Sequence, residues 1–232
     1  ALIAAFEARG FAAIGAYAAS LKDTAAAAWL RAELGRLSPA AIVNATAFSA
    51  RGSDGSASPL DATGCPVFQV ALSTARRKDW AEAERGLPPS DLAMHVVLPE
   101  VDGRILAGVV SFKAPGKRDP DLQYSRFAHR ADDALVSATV DRVEGWLRLA
   151  RTPSAEKRLA IVLSTYPGRD HQLAHAVGLD ALASVEEMLG ALDQSGHDTV
   201  PGDGLGVALM NDAPGWPVED YIQTLEKLPE TL

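Results

Sequence analysis

Two segments about sixty residues apart gather the side chains that could do chemistry. The first, Leu98 to Ile105, reads LPEVDGRI and supplies Glu100, Asp102 and Arg104. The second, Ile161 to Ser184, reads IVLSTYPGRDHQLAHAVGLDALAS and supplies Arg169, Asp170, His171 and His175. A carboxylate or a neutral imidazole accepts protons and ligates divalent cations. A guanidinium grips carboxylates through paired N–H groups. In each segment an apolar, strand-like stretch opens into a polar loop, and such loops carry function in open α/β folds.

Glu100 follows Pro99 at the end of an expected strand, Met94 to Leu98, with Asp102 two residues on. It is the first candidate for a general base or metal ligand, although PEVDG also reads as an ordinary tight turn. Asn44, His95, Arg104 and Arg169 are the candidates for contacting a substrate. The alternative for His95 is a half-buried hydrogen-bonded residue, since alternation puts it beside Val97 on one face. Asn44 closes the apolar run AIVNA, where a backbone hydrogen bond would equally explain it. Arg169 can pair with the adjacent Asp170 instead of a ligand. His171 and His175 stand i, i+4, a spacing that puts two metal ligands on one face if the segment is helical. No HExxH glutamate accompanies them, so exposed surface histidines are the competing reading.

These residues need a sheet to position them. Ala1 to Arg9 reads as a helix stopped by Gly10, followed by a strand from Phe11 to Ala18. An alanine-rich helix runs to about Leu34, capped by Asp23 or Thr24. Strands are expected at Ala41–Ala45, Pro66–Leu72, Met94–Leu98, Ile105–Phe112 and Leu159–Ser164. Helices are expected at Ala75–Glu84, Arg130–Arg151 and Ser184–Leu192. The long helix carries Val136, Val140, Val143 and Leu147 as one stripe. Ser49–Pro59 reads as a loop, and Lys113–Asp121 as a charged linker. The alternation predicts an α/β protein. It comprises a flavodoxin-like parallel-sheet unit over 1–114 and a second α/β unit over 115–232. The helix-first start suggests an internal piece of a longer polypeptide whose first strand precedes Ala1.

Composition narrows the classes. The chain has 232 residues, 47% of them hydrophobic, with a mean hydropathy of +0.01. That suits a water-soluble α/β protein. The net charge of −8 argues against nucleic acid as a partner, because phosphate binding needs a basic surface. No run reaches the roughly 18 apolar residues of a membrane span. The lone Cys65 excludes an internal disulfide framework and fits a reducing, cytoplasmic setting. No GxxxxGK[ST] phosphate loop is present.

Four stretches together resemble the large chelatase subunit family. They are PLDATGCPVFQV (Pro59–Val70), DLAMHVVLPEVDGRI (Asp91–Ile105), VSFK (Val110–Lys113) and LAIVLSTYPGRD…AVGLDALAS (Leu159–Ser184). VSFK and YPGRD make the likeness closest to the cobaltochelatase CobN type, and less close to the magnesium chelatase H type. The second stretch departs from the family pattern at Gly168, His171, Gln172, His175 and Ala181-Leu182. The resemblance implies a tetrapyrrole substrate and cobalt as the inserted metal. It also implies AAA+ ATPase partner subunits that use ATP and magnesium, which this chain does not itself bind. Under it Glu100 handles a proton or the metal, with His171 and His175 as further metal ligands. Asn44, His95, Arg104 and Arg169 touch the ring. The rest of the same large subunit is a partner. The rival readings are magnesium insertion into a protoporphyrin, and a scaffold that touches no ligand.

Overall fold

The structure, a computed structural model, describes residues 1–52, 55–164, 178–199, 204–211 and 216–228. Contacts divide the chain into two units, Ala1–Arg151 and Thr152–Leu232. In the first unit the helices are α1 (Leu2–Glu7), α2 (Thr24–Leu37), α3 (Arg77–Glu82), α4 (Pro89–Leu92), α5 (Leu98–Val101) and α6 (Asp133–Arg151). Its strands are β1 (Ile42–Asn44), β2 (Val67–Ser73), β3 (Ile105–Asp119) and β4 (Tyr124–Ala131), in the spatial order β1-β2-β3-β4. The first three run parallel and β4 returns antiparallel to β3. The expected α/β class is therefore present, with a mostly parallel sheet.

β2 is buried on both sides, as an interior parallel strand must be. Phe68 and Val70 pack with Ala107 and Val110 of β3 and with Val136, Val143 and Leu147 of α6. Val67 packs with Leu30 and Leu34 of α2 and with Leu60. The sheet thus lies between two helical layers. The α6 stripe falls where the 3.6-residue period puts it, with Val140 also buried. Gly10 ends α1 at φ +82°, with Phe11 N–H on the Phe6 carbonyl and Gly10 N–H on that of Glu7. Asp23 caps α2 by accepting from the Ala26 N–H at 2.8 Å.

Several expected elements differ. Phe11–Ala18 is irregular backbone, because FAAIGAYA is mostly alanine and glycine with little β-branched surface to hold a strand. Met94–Leu98 is helical: Ala93–Val97 forms a π-helical turn between α4 and α5. Short apolar runs do not distinguish a strand from a buried helix, and Pro89 and Pro99 sit in the first turns of α4 and α5. Lys113–Asp121 is no linker; β3 continues to Asp119 and pairs with β4 as a hairpin. Gly116 permits that pairing, since a Cβ there would stand 2.9 Å from the Arg126 carbonyl oxygen. The division expected after Ala114 accordingly falls inside β3.

The second unit contains α7 (Ala181–Gln194), α8 (Leu205–Asn211) and α9 (Val218–Glu226). Leu159–Ser164, expected as a strand, has no assigned strand and pairs with none of the described strands. Among the described residues no helix is long and apolar enough to cross a membrane.

Candidate functional site

The polar chemistry of the first unit gathers on the connection from β2 to β3. That connection runs through α3, then α4, the π-helical turn and α5. α4 and α5 have four residues each, too few to hold their shape unaided, so their placement depends on tertiary contacts. Asp91 supplies the first anchor. It is fully buried and accepts from Ser73 Oγ at 3.0 Å, the Thr74 N–H at 2.7 Å and Thr74 Oγ1 at 2.8 Å. The donors sit where β2 ends, so one carboxylate ties α4 to the carboxyl edge of the sheet. Phe48 adds a second tie, its N–H reaching the Met94 carbonyl at 2.8 Å with φ +69°.

His95 lies on the π-helical turn, buried, with Nδ1 lacking a hydrogen-bond partner. Burial pushes its pKa below the ordinary imidazole value; the Asp91 carboxylate opposes this and His129 adds to it. His129, exposed on β4, is also lowered, by burial first and then by Lys113, with Asp91 opposing. Its Nδ1 lies 3.2 Å from Ser111 Oγ. Asp91, His95, His129 and Lys113 thus share one electrostatic neighbourhood, in which both imidazoles favour the neutral, proton-accepting form.

Past the turn stands Glu100, exposed on α5, its carboxylate making no hydrogen bond or ion pair with another described residue. Two residues later the chain is tied down again. Asp102 is buried and accepts from Ser49 Oγ and the Ala50 N–H, both at 2.7 Å. Arg104 is buried against Asp61 through Nη1, while its Nε and Nη2 have no partner. The exposed acid therefore stands between two buried polar anchors.

Asn44 takes the role of a local hydrogen-bonding residue. Its Nδ2 donates to Gln69 Oε1 at 2.7 Å and its Oδ1 accepts from Thr46 Oγ1 at 2.8 Å. Asn44, His95, Glu100 and Arg104 all belong to the first unit, and three of them to the β2–β3 connection or its end. Arg169, His171 and His175 lie outside the described residues. No group of three or more histidine, cysteine or carboxylate side chains could hold a metal among the described residues. Sequence reasoning missed Asp91 and His129. Asp91 lies in the quoted DLAMHVVLPEVDGRI, and an acid just after a helix-starting Pro-Pro-Ser is the one signal that could have found it.

Fold and site together define an α/β unit that presents Glu100, exposed and without a partner among the described residues, on the connection from β2 to β3. The chain belongs to the CobN/magnesium chelatase family, whose pattern matches residues 1–231. It is 40% identical over 208 residues to the aerobic cobaltochelatase subunit CobN of Sinorhizobium sp, covering 88% of this chain and 16% of that protein. It is 35% identical over 229 residues to the aerobic cobaltochelatase subunit CobN of Pseudomonas aeruginosa, covering 91% and 18%. Among solved structures it is similar to the catalytic subunit of cobaltochelatase from Mycobacterium tuberculosis. There the TM-score is 0.68 at 30% identity, covering 84% of this chain and 16% of that one. The chain thus spans about one sixth of the length of these relatives.

Proposed function

We propose that this chain is part of a CobN-type cobaltochelatase large subunit that inserts cobalt into a corrin-type tetrapyrrole, hydrogenobyrinic acid a,c-diamide, in cobalamin synthesis. The reaction takes place in the cytoplasm. It is driven by AAA+ ATPase subunits, which bind the ATP and magnesium. The remainder of the same large subunit completes the site. Cobalt is a substrate: the macrocycle loses two N–H protons and the divalent cation takes their place among the ring nitrogens.

Glu100 carries this reading. An exposed carboxylate without a partner, on a segment fixed by Asp91 upstream and Asp102 downstream, can meet a ligand without first breaking an ion pair. It takes up a pyrrolic proton or ligates the incoming cation. His95, its pKa lowered by burial, and Arg104 are the further candidates for touching the ring. Arg169 as a ring contact, and His171 and His175 as metal ligands, are the further candidates of this reading. Asn44 supports the loop through Gln69 and Thr46.

The test is Glu100→Gln in the full-length subunit, which keeps shape but removes the charge and most of the basicity. The variant should bind the tetrapyrrole and insert cobalt at least ~100-fold more slowly, the lower end of what a positioned acid or base contributes. Insertion at the wild-type rate under saturating cobalt and ATP would exclude the chemical role.

A further inference from the structure

In the second unit α9 is amphipathic, and its apolar side faces water. Val218, Tyr221, Ile222 and Leu225 recur at i, i+3, i+4 and i+7, which puts them in one stripe about 100° wide. Glu219, Asp220, Gln223, Thr224 and Glu226 fill the rest of the circumference. Trp216 precedes the stripe and Leu228 follows it, and the Trp216 ring meets that of Tyr221 edge-on with centroids 5.3 Å apart. No residue of α9 is buried. Trp216, Leu228 and the four stripe residues are each between 46% and 66% exposed.

A helix of 9 residues does not hold its shape by propensity; its stability comes from packing an apolar face. A contiguous exposed apolar face marks an interaction site. We infer that the stripe from Trp216 to Leu228 packs into an apolar groove formed by the remainder of the same large subunit, as a permanent contact within one polypeptide. Three observations select this occupant. The chain covers 16% of the Sinorhizobium CobN and 18% of the Pseudomonas one, so most of each relative lies outside it and is available to form the groove. The polar arc of α9 carries three carboxylates and no lysine or arginine, the reverse of a helix that lies on an anionic membrane. The stripe holds no charged residue, as in the core of a lasting interface, whereas contacts that form and part are no more apolar than ordinary surface. The inference rests on family membership and stands or falls separately from the role of Glu100.

Hydrogen exchange on the full-length subunit, purified without its partner subunits, tests it. The amides of residues 221–226 should exchange on the order of a thousandfold or more slower than in an unstructured peptide, as packed core helices do. A helix this short with nothing against it exchanges within about tenfold of the peptide, and that result would overturn the inference. Protection that appears only on adding the ATPase subunits would assign the stripe to them and overturn it. So would protection found only at concentrations where the subunit dimerises, or only on phosphatidylcholine–phosphatidylglycerol vesicles. Two substitutions give a second reading. Leu225→Asp puts a carboxylate on the stripe, and Gln223→Asp puts one on the polar arc. The first should cut the protection of these amides at least about tenfold or leave the subunit insoluble, while the second changes neither. A soluble Leu225→Asp subunit protected like wild type, or equal effects of the two substitutions, would overturn the inference as well.

Discussion

Asp91 is the contact on which the placement of the β2–β3 connection most depends, and two substitutions separate its parts. Its Oδ2 accepts from Ser73 Oγ and the Thr74 N–H, and its Oδ1 accepts from Thr74 Oγ1. In Asp91→Asn the amide oxygen can take the Oδ2 position and keep the first two bonds. The amide nitrogen then faces the Thr74 hydroxyl, which can rotate to accept. What is lost is the charge assistance, about 1–2 kcal/mol in all. In Asp91→Ala all three acceptors go. The two hydroxyls can re-aim, but the Thr74 N–H, half-buried in this bond, is fixed by the backbone and loses its partner. That donor alone costs about 1–3 kcal/mol, and the two lost hydroxyl bonds about 1 kcal/mol each, giving roughly 3–5 kcal/mol. Urea unfolding of the 232-residue chain, monitored as a midpoint shift at constant m, measures both variants. An alanine variant within about 0.5 kcal/mol of wild type, or an asparagine variant as unstable as alanine, would refute the assignment of Asp91 as an anchor.

Stability should fall as pH drops from about 7 towards 5. His95 has a lowered pKa in the folded state while the unfolded imidazole titrates near 6.5, so acid protonates the unfolded chain first and favours it. His129 acts in the same direction. His95→Gln should flatten that slope in urea titrations at successive pH values, and an unchanged slope would show that His95 is not the source. Asp102→Ala should free the loop held through Ser49 and Ala50, costing about 2–3 kcal/mol. Trypsin cleavage after Arg51 should then accelerate; cleavage at the wild-type rate would mean the loop is held elsewhere.

Legibility in the sequence followed the range of the interactions. The α6 stripe, β2, the Gly10 stop and the Asp23 cap are local patterns, and each is present where the residues predict it. The Met94–Leu98 run was ambiguous for a physical reason: four apolar residues around one histidine suit a short strand or a helix equally well, and only the prolines on either side favour helix. The hairpin was hidden because Lys113–Asp121 carries charges and Pro115, and its pairing partner lies beyond a turn at Asp121–Gln123. The anchors were the least legible. Asp91 meets donors 17 and 18 residues away, and Asp102 donors 52 and 53 residues away, distances at which no spacing rule operates.

That distribution of contacts has a consequence for Glu100. A carboxylate that must meet a proton or a cation cannot also be a structural anchor, because an ion pair or buried hydrogen bond would have to break first. An exposed acid on a four-residue helix has the opposite problem, since such a helix does not hold its own geometry. The β2–β3 connection separates the two demands. Asp91 and Asp102 are buried and fully engaged, and they fix the backbone on either side. Glu100 keeps its carboxylate in solvent between them. Three carboxylates within twelve residues therefore do different work, and their surroundings assign it: burial with backbone donors makes an anchor, and exposure on an anchored turn leaves an acid available to a ligand.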